Sequence, residues 1–327
     1  MSGTRADNFD RHLERGRRAL AEGRTLDLIA EVSAAETLLD AKGGDPVRHL
    51  QVASLLQAAF RFSGESELRD RGVSLCQRLA DRVDDPSTAI RARATLATFH
   101  VISGRFFAMH EACAAAIDLA RATDRGHEPA AAMAHQFRGY ALFEWNRIDE
   151  AKEALERAWS LSKPEWQGIR SGTARMLLSV HHALGDSTRA EAWLSELEEI
   201  VSEPMTLRNR EWLAAVRTMA RGRHDLREID SWVRTYDYST GGDLPAEPDE
   251  AASRLHELSH LLTVLEATSQ WASMIHVAEV MAVGARSSRH WFRVRSLTAR
   301  AVALEAMGRP GKAEVAWAEA LTLGESE

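Results

Sequence analysis

Eight short breaks recur along the sequence at nearly constant intervals, and this rhythm limits the fold more than any other feature. They read AEGRT around Gly23, FSGES around Gly64, ISGRF around Gly104, EWNRI around Asn146, ALGDS around Gly185, ARGRH around Gly222, ATSQW around Ser269 and AMGRP around Gly308. Successive intervals are 41, 40, 42, 39, 37, 47 and 39 residues. Gly and Asn tolerate the left-handed backbone that ends one helix before the next begins, so they return at the same phase. Between the breaks the apolar residues follow a helical period, without runs of alternating β-branched residues bounded by turns. Ala, Leu, Arg and Glu dominate a composition with 6% aromatic residues, and such side chains lose little rotamer freedom in a helix. The chain is expected to be all-α, with a helical hairpin as its unit.

Aligning the hairpins on their breaks shows small residues where helices must approach closely. In HQFRGYALFEWNRIDEAKEALERAWSLSKP, residues 135–164, Gly139 lies on the first helix, Ala151, Leu155 and Ala158 stripe the second, and Pro164 follows. Ala301, Ala313, Trp317 and Ala320 repeat the spacing, and Ala190, Leu194 and Leu197 follow it more loosely. This pattern resembles the tetratricopeptide repeat. One hairpin cannot bury its apolar face alone, so about eight are expected to stack into an α-solenoid, a right-handed superhelix. The hairpins within 1–85 fit the spacing poorly and read as divergent. Repeats are expected over 86–235 and 251–327, separated at 236–250 by the acidic Gly/Pro loop YDYSTGGDLPAEPDE.

From about Arg210 onward the chain resembles the closing helical-repeat region of large LuxR-type, MalT-like transcriptional activators. The phrase VALEAMGRPGKAEVAWAEALTLGE and the order hairpin, acidic loop, hairpin carry the likeness. The resemblance implies a region placed between an ATPase domain and a helix-turn-helix, where it receives an inducer or an inhibitory protein. GRPGKA at 308–313 lacks the spacing and the Ser or Thr of a phosphate loop, and no DNA-reading helix pair is recognised before Glu327. The functional expectation is a non-catalytic signal-receiving module. A stand-alone scaffold for protein complexes is the alternative.

The string LHELSHLL contains His256, Glu257 and His260 in H-E-x-x-H order, and Glu279 follows at a zinc-peptidase interval. A zinc hydrolase is therefore the third reading, set aside for its context. On a helix, Leu255, Leu258, Leu261, Leu262 and Leu265 fill one half, so the motif sits in an amphipathic repeat helix. Glu279 lies in HVAEVMA rather than in a metal-binding context. With 13 histidines in a Glu-rich helical chain, the string is read as accidental, and no metal or cofactor is expected.

The formal charge of -7 gives no general attraction to nucleic acid. The cluster Arg15, Arg17, Arg18 is flanked by Glu14 and Glu22 and reads as a solvated face. Cys76 and Cys113 read as buried hydrophobes and the nine tryptophans as core. MSGTRADNFD lacks a signal-type apolar core, and no run approaches the roughly 20 apolar residues that span a bilayer, so a cytoplasmic protein is expected.

Where the first helix of each hairpin lines the concave side, the residues opposite its packing stripe form a groove. That phase selects Arg91, Gln136, Tyr140, Arg175, His182, Trp212, His256, Ser259, Thr263 and Arg295. Such residues suit a protein partner or a small polar inducer, held by charge-assisted hydrogen bonds and aromatic stacking. Homo-oligomerisation on activation is a further expectation.

Overall fold

The computed structural model describes residues 5–39, 45–82, 84–200, 268–285 and 290–325, and eight positions within 255–266. Among the described residues every regular element is an α-helix. They are α1 (Arg5–Ala21), α2 (Thr25–Thr37), α3 (Pro46–Ser63), α4 (Ser66–Arg82), α5 (Pro86–Ser103), α6 (Phe106–Ala122), α7 (Pro129–Glu144), α8 (Ile148–Leu161), α9 (Gln167–Ala183) and α10 (Ser187–Ile200). Helical residues follow between 255 and 266, then α11 (Trp271–Gly284), α12 (His290–Ala306) and α13 (Pro310–Glu325).

Every break inside the described residues takes the left-handed backbone that its residue type favours. Gly23, Gly64, Gly104, Gly185 and Gly308 have φ between 68° and 79°, while Asn146 and Ser269 reach 58°. The hydrogen bonding repeats as well. Arg105 N donates to His100 O, Arg147 N to Leu142 O and Gln270 N to Leu265 O, each at 2.9 Å. These bonds satisfy carbonyls that the helix end leaves open. Helix starts are set by proline and carboxylate together: Pro86 opens α5 while Asp85 Oδ2 accepts from Thr88 N at 3.0 Å and Thr88 Oγ1 at 2.6 Å. Those bonds, the side-chain one foremost, hold the Asp85 carboxyl below its ordinary range.

The chain forms two compact units, Met1–Met176 and Leu177–Glu327, with the division inside α9. In the first unit each helix packs on the next along the chain from α1 to α8. The first helices of successive hairpins also pack on each other, α1 on α3, α3 on α5 and α5 on α7. Backbone approach as close does not join α2 to α4, α4 to α6 or α6 to α8 among the described residues, and α4 reaches α2 through Arg71, whose Nε donates to Glu36 Oε2 and Nη2 to Ser33 Oγ, both at 2.9 Å. The odd helices therefore make an inner layer, and furrows separate the even helices outside it.

Close approach depends on missing side-chain volume. A methyl on Gly139 would stand 2.5 Å from Leu155 Cγ and 3.2 Å from Ala151 O, so α7 and α8 touch there only because no Cβ intervenes. Ala151, Leu155 and Ala158 are fully buried beneath it. The hairpins within residues 1–85, whose spacing fits the repeat poorly, also pair α1 with α2 and α3 with α4. Gly72 of α4 lies against the Phe99 ring of α5, which stacks on Phe60 at 6.4 Å between centroids.

In the second unit Leu255, Leu258, Leu261, Leu262 and Leu265 are fully buried against Met274, Val277, Met281 and Phe292. A buried leucine contributes about 2 kcal/mol of transfer free energy, so this stripe dominates the local stability. Ala301 and Ala313 are buried where the repeat spacing places them.

The tryptophans correct an expectation. Trp145, Trp159, Trp166, Trp193, Trp271, Trp291 and Trp317 are all only partly buried. Trp271 and Trp291 pack at the edge of the leucine cluster, while an inner seam narrow enough to need Gly139 and rows of alanine has no room for an indole, so Trp159 and Trp317 lie at helix margins. There they find polar neighbours: Trp317 Nε1 donates to Glu305 Oε1 at 2.9 Å, and the Arg170 guanidinium sits 3.8 Å above the Trp159 ring.

Candidate binding face

The inner layer of the first unit carries four of the residues selected by helix phase. Arg91 on α5 and Arg175 on α9 are exposed. Gln136 and Tyr140 on α7 are partly buried, each set into packing. The Gln136 amide rests on the bare Cα of Gly172 on α9, where a methyl would clash with it. The Tyr140 ring meets Phe106 edge to face at 5.6 Å and packs on the α5–α7 core. Ser87 Oγ at the start of α5 donates to Glu128 Oε1 beside the start of α7 at 2.6 Å, which ties these first helices together.

In the second unit His182 is exposed, while its neighbour His181 is buried with Nδ1 3.5 Å from Asp186. Thr263 and Arg295 are brought together across a sequence separation of 32, with Arg295 Nη2 donating to Thr263 Oγ1 at 2.9 Å. Ser259, placed in the groove by helix phase, is instead buried. Its position borders the leucine stripe, and its small hydroxyl is readily covered. Trp212, His256, Glu257 and His260 lie outside the described residues. Glu279 Oε1 lies 3.8 Å from Arg300 Nε.

A second cluster lies on the outer side of the first unit and escaped sequence reasoning. Phe107 and His110 of α6 flank Trp145 at the end of α7, with ring centroids 6.5 and 5.2 Å from it. Phe107 is 68% exposed. Deeper in the furrow, Arg138 of α7 has a buried Nε without a hydrogen-bond partner. His135, one turn earlier, is pushed down to about 4 by burial and then by the charges of Arg157, Arg138 and Arg121. These arginines belong to α8, α7 and α6. The signal was present: Arg138 stands eight residues before its break, where α5 has the apolar Leu96.

Chemically, both faces offer guanidinium groups and rings suited to binding carboxylates and apolar side chains. Among the described residues no cluster of three His, Cys, Asp or Glu side chains has the geometry of a metal site, and no helix is long and apolar enough to cross a membrane.

The sequence matches the MalT-like TPR region over residues 18–327. The chain belongs to that family. No curated protein matches the sequence. Among solved structures, aspartyl phosphate phosphatase F from Bacillus subtilis is similar with a TM-score of 0.52 at 10% identity, covering 98% of this chain and 71% of that one. The Rap conjugation gene regulator of the plasmid pLS20, solved in complex with the Phr* peptide, gives 0.51 at 15% identity, covering 91% and 76%. The apo form of RapI gives 0.49 at 12% identity, covering 93% and 99%. At such identities the likeness concerns the fold alone, and it rests on the first two of these structures.

Proposed function

We propose that this chain is a non-catalytic recognition module, the signal-receiving region of a MalT-like, LuxR-type transcriptional regulator. Membership of the MalT-like TPR region family supports the reading, and so does the shared fold of a regulator solved with a peptide. The observation that carries it is the inner layer of odd helices, with Arg91 and Arg175 exposed on it. Exposed guanidiniums on a preformed helical layer bind a peptide carboxylate or a polar inducer with little ordering of the protein. Binding acts by differential affinity, favouring one arrangement of hairpins to which an attached domain responds.

The test is a thermal-shift screen of the purified chain against peptides, oligosaccharides and metabolites, since a ligand specific to the folded state raises the midpoint. A shift that disappears in Arg91→Ala or Arg175→Ala supports the reading. A shift retained in both variants removes the inner face from it.

A further inference from the structure

We propose that the outer furrow between α6 and α8 is a second recognition surface, which takes an extended acidic segment of a partner protein led by an aromatic or large apolar side chain. This surface is separate from the inner layer, and its argument begins with what the fold leaves open. α7 packs on both α6 and α8, whereas no comparable packing joins α6 to α8. The side chains of α7 that feel both outer helices therefore form the floor. Arg138 acts electrostatically on His110 of α6 and Glu150 of α8, and His135 is influenced by Arg121 of α6 and Arg157 of α8.

The antiparallel helices give the furrow two unlike ends. At the turn end stand Phe107, His110 and Trp145, in ring contact with one another through Trp145. Phe107 presents most of its ring to solvent, an unusual exposure for a residue of that size. At the other end stand the exposed guanidiniums of Arg121 and Arg157. From Phe107 to Arg121 the rise along α6 is about 20 Å. An extended segment of about six residues spans that distance.

Charge selects the occupant. Carboxylates along the furrow are engaged by neighbouring cations: Glu150 accepts from Arg147 Nε and Nη2, both at 2.6 Å, and Glu156 lies 3.7 Å from Lys152. Asp118 lies 3.6 Å from Arg121 on the exposed side of α6. The floor has the opposite character: Arg138 offers a buried Nε with nothing to accept from it. That Nε is closed to solvent, so Arg138 adds positive charge from beneath, and an entering carboxylate pairs with the exposed guanidiniums of Arg121 and Arg157. An aromatic anchor beside arginines also matches the residue types that dominate binding energy at interfaces.

The experiment is an array of immobilised hexapeptides, varied among acidic, basic, polar and aromatic residues at each position and probed with the labelled full chain. Peptides combining an acidic and an aromatic or large apolar residue should be retained, with binding weakened by salt. Phe107→Ser should weaken binding about tenfold, and so should Arg121→Gln combined with Arg157→Gln. These positions are exposed, so circular dichroism should be unchanged. Arg138→Gln, which removes the positive charge beneath the surface, should give a smaller loss in the same direction. Arg91→Ala and Arg175→Ala should leave it unaltered, which separates this surface from the inner face.

Retention of only basic or neutral peptides, or of none, overturns the proposal. Binding unaffected by the outer variants, or abolished by the inner ones, does so too. Displacement by inorganic phosphate with no dependence on Phe107 would reduce the furrow to an anion site and remove the peptide.

Discussion

The adjacent hairpins α5–α6 and α7–α8 share one backbone plan but differ at the seam. Eight residues before the left-handed position, Leu96 of α5 packs against the first-unit core, whereas Arg138 of α7 places a guanidinium with a buried, unpaired Nε. Eleven residues before it, the pair is Arg93 and His135. The repeat thus dictates where helices turn and touch, through small residues and left-handed turns. The residues facing the preceding outer helix are freer to vary, and that is where this chain has placed its charge.

The largest effects should come from breaking the shared plan. Gly72→Ala would drive a methyl into the Phe99 ring, which is fully buried and stacked on Phe60; stability should fall by about 3 kcal/mol, read as a lower urea midpoint. Leu155→Ala should cost a similar ~3 kcal/mol by opening a cavity under Gly139. A wild-type midpoint for either variant would show that the small-residue contacts do not limit packing.

Exchanging the seam residues tests the comparison itself. Arg138→Leu makes α7 resemble α5 and removes a buried orphan donor, so it should raise the melting temperature, with a gain of about 1 kcal/mol. Destabilisation would mean that the guanidinium is already satisfied.

Acid should act on both hairpins. His100 and His135 are each pushed down to about 4, chiefly by burial and then by nearby arginines. The unfolded chain takes up these protons first, so their contribution is fully present above about pH 6.5 and is lost as pH falls toward 4. Melting curves across that window should decline, and His100→Leu should flatten the decline. The smallest effect concerns the turns. Ser269→Gly should stabilise by about 1 kcal/mol, because glycine accepts a φ of 58° without the steric penalty that serine carries. An unchanged melting temperature would show that the turn is not strained.

Much of the fold was legible because turns and close contacts depend on local residue type. Asn146 and Ser269 could be read as left-handed from their phase alone, and Gly139 as a helix contact from its spacing to Ala151 and Leu155. Asp124, left-handed at φ 55° between α6 and α7, lies between hairpins and so outside the rhythm of breaks that recurs within them. The site was less legible, since helix phase separates faces but does not say which neighbour covers them. Tyr140 has its phase toward the inner side and still packs on Phe106. The role of Arg138 requires knowing that α6 and α8 stand apart, which only the tertiary arrangement supplies.

Cys76 and Cys113 are fully buried in different hairpins, and burial first of all pushes each thiol up to about 12. Neither sulfur reacts with an alkylating reagent until its own hairpin opens. An array held mainly by nearest-neighbour contacts opens piecewise rather than all at once. The two cysteines are therefore built-in clocks, and the order in which they become labelled records where the array begins to unravel.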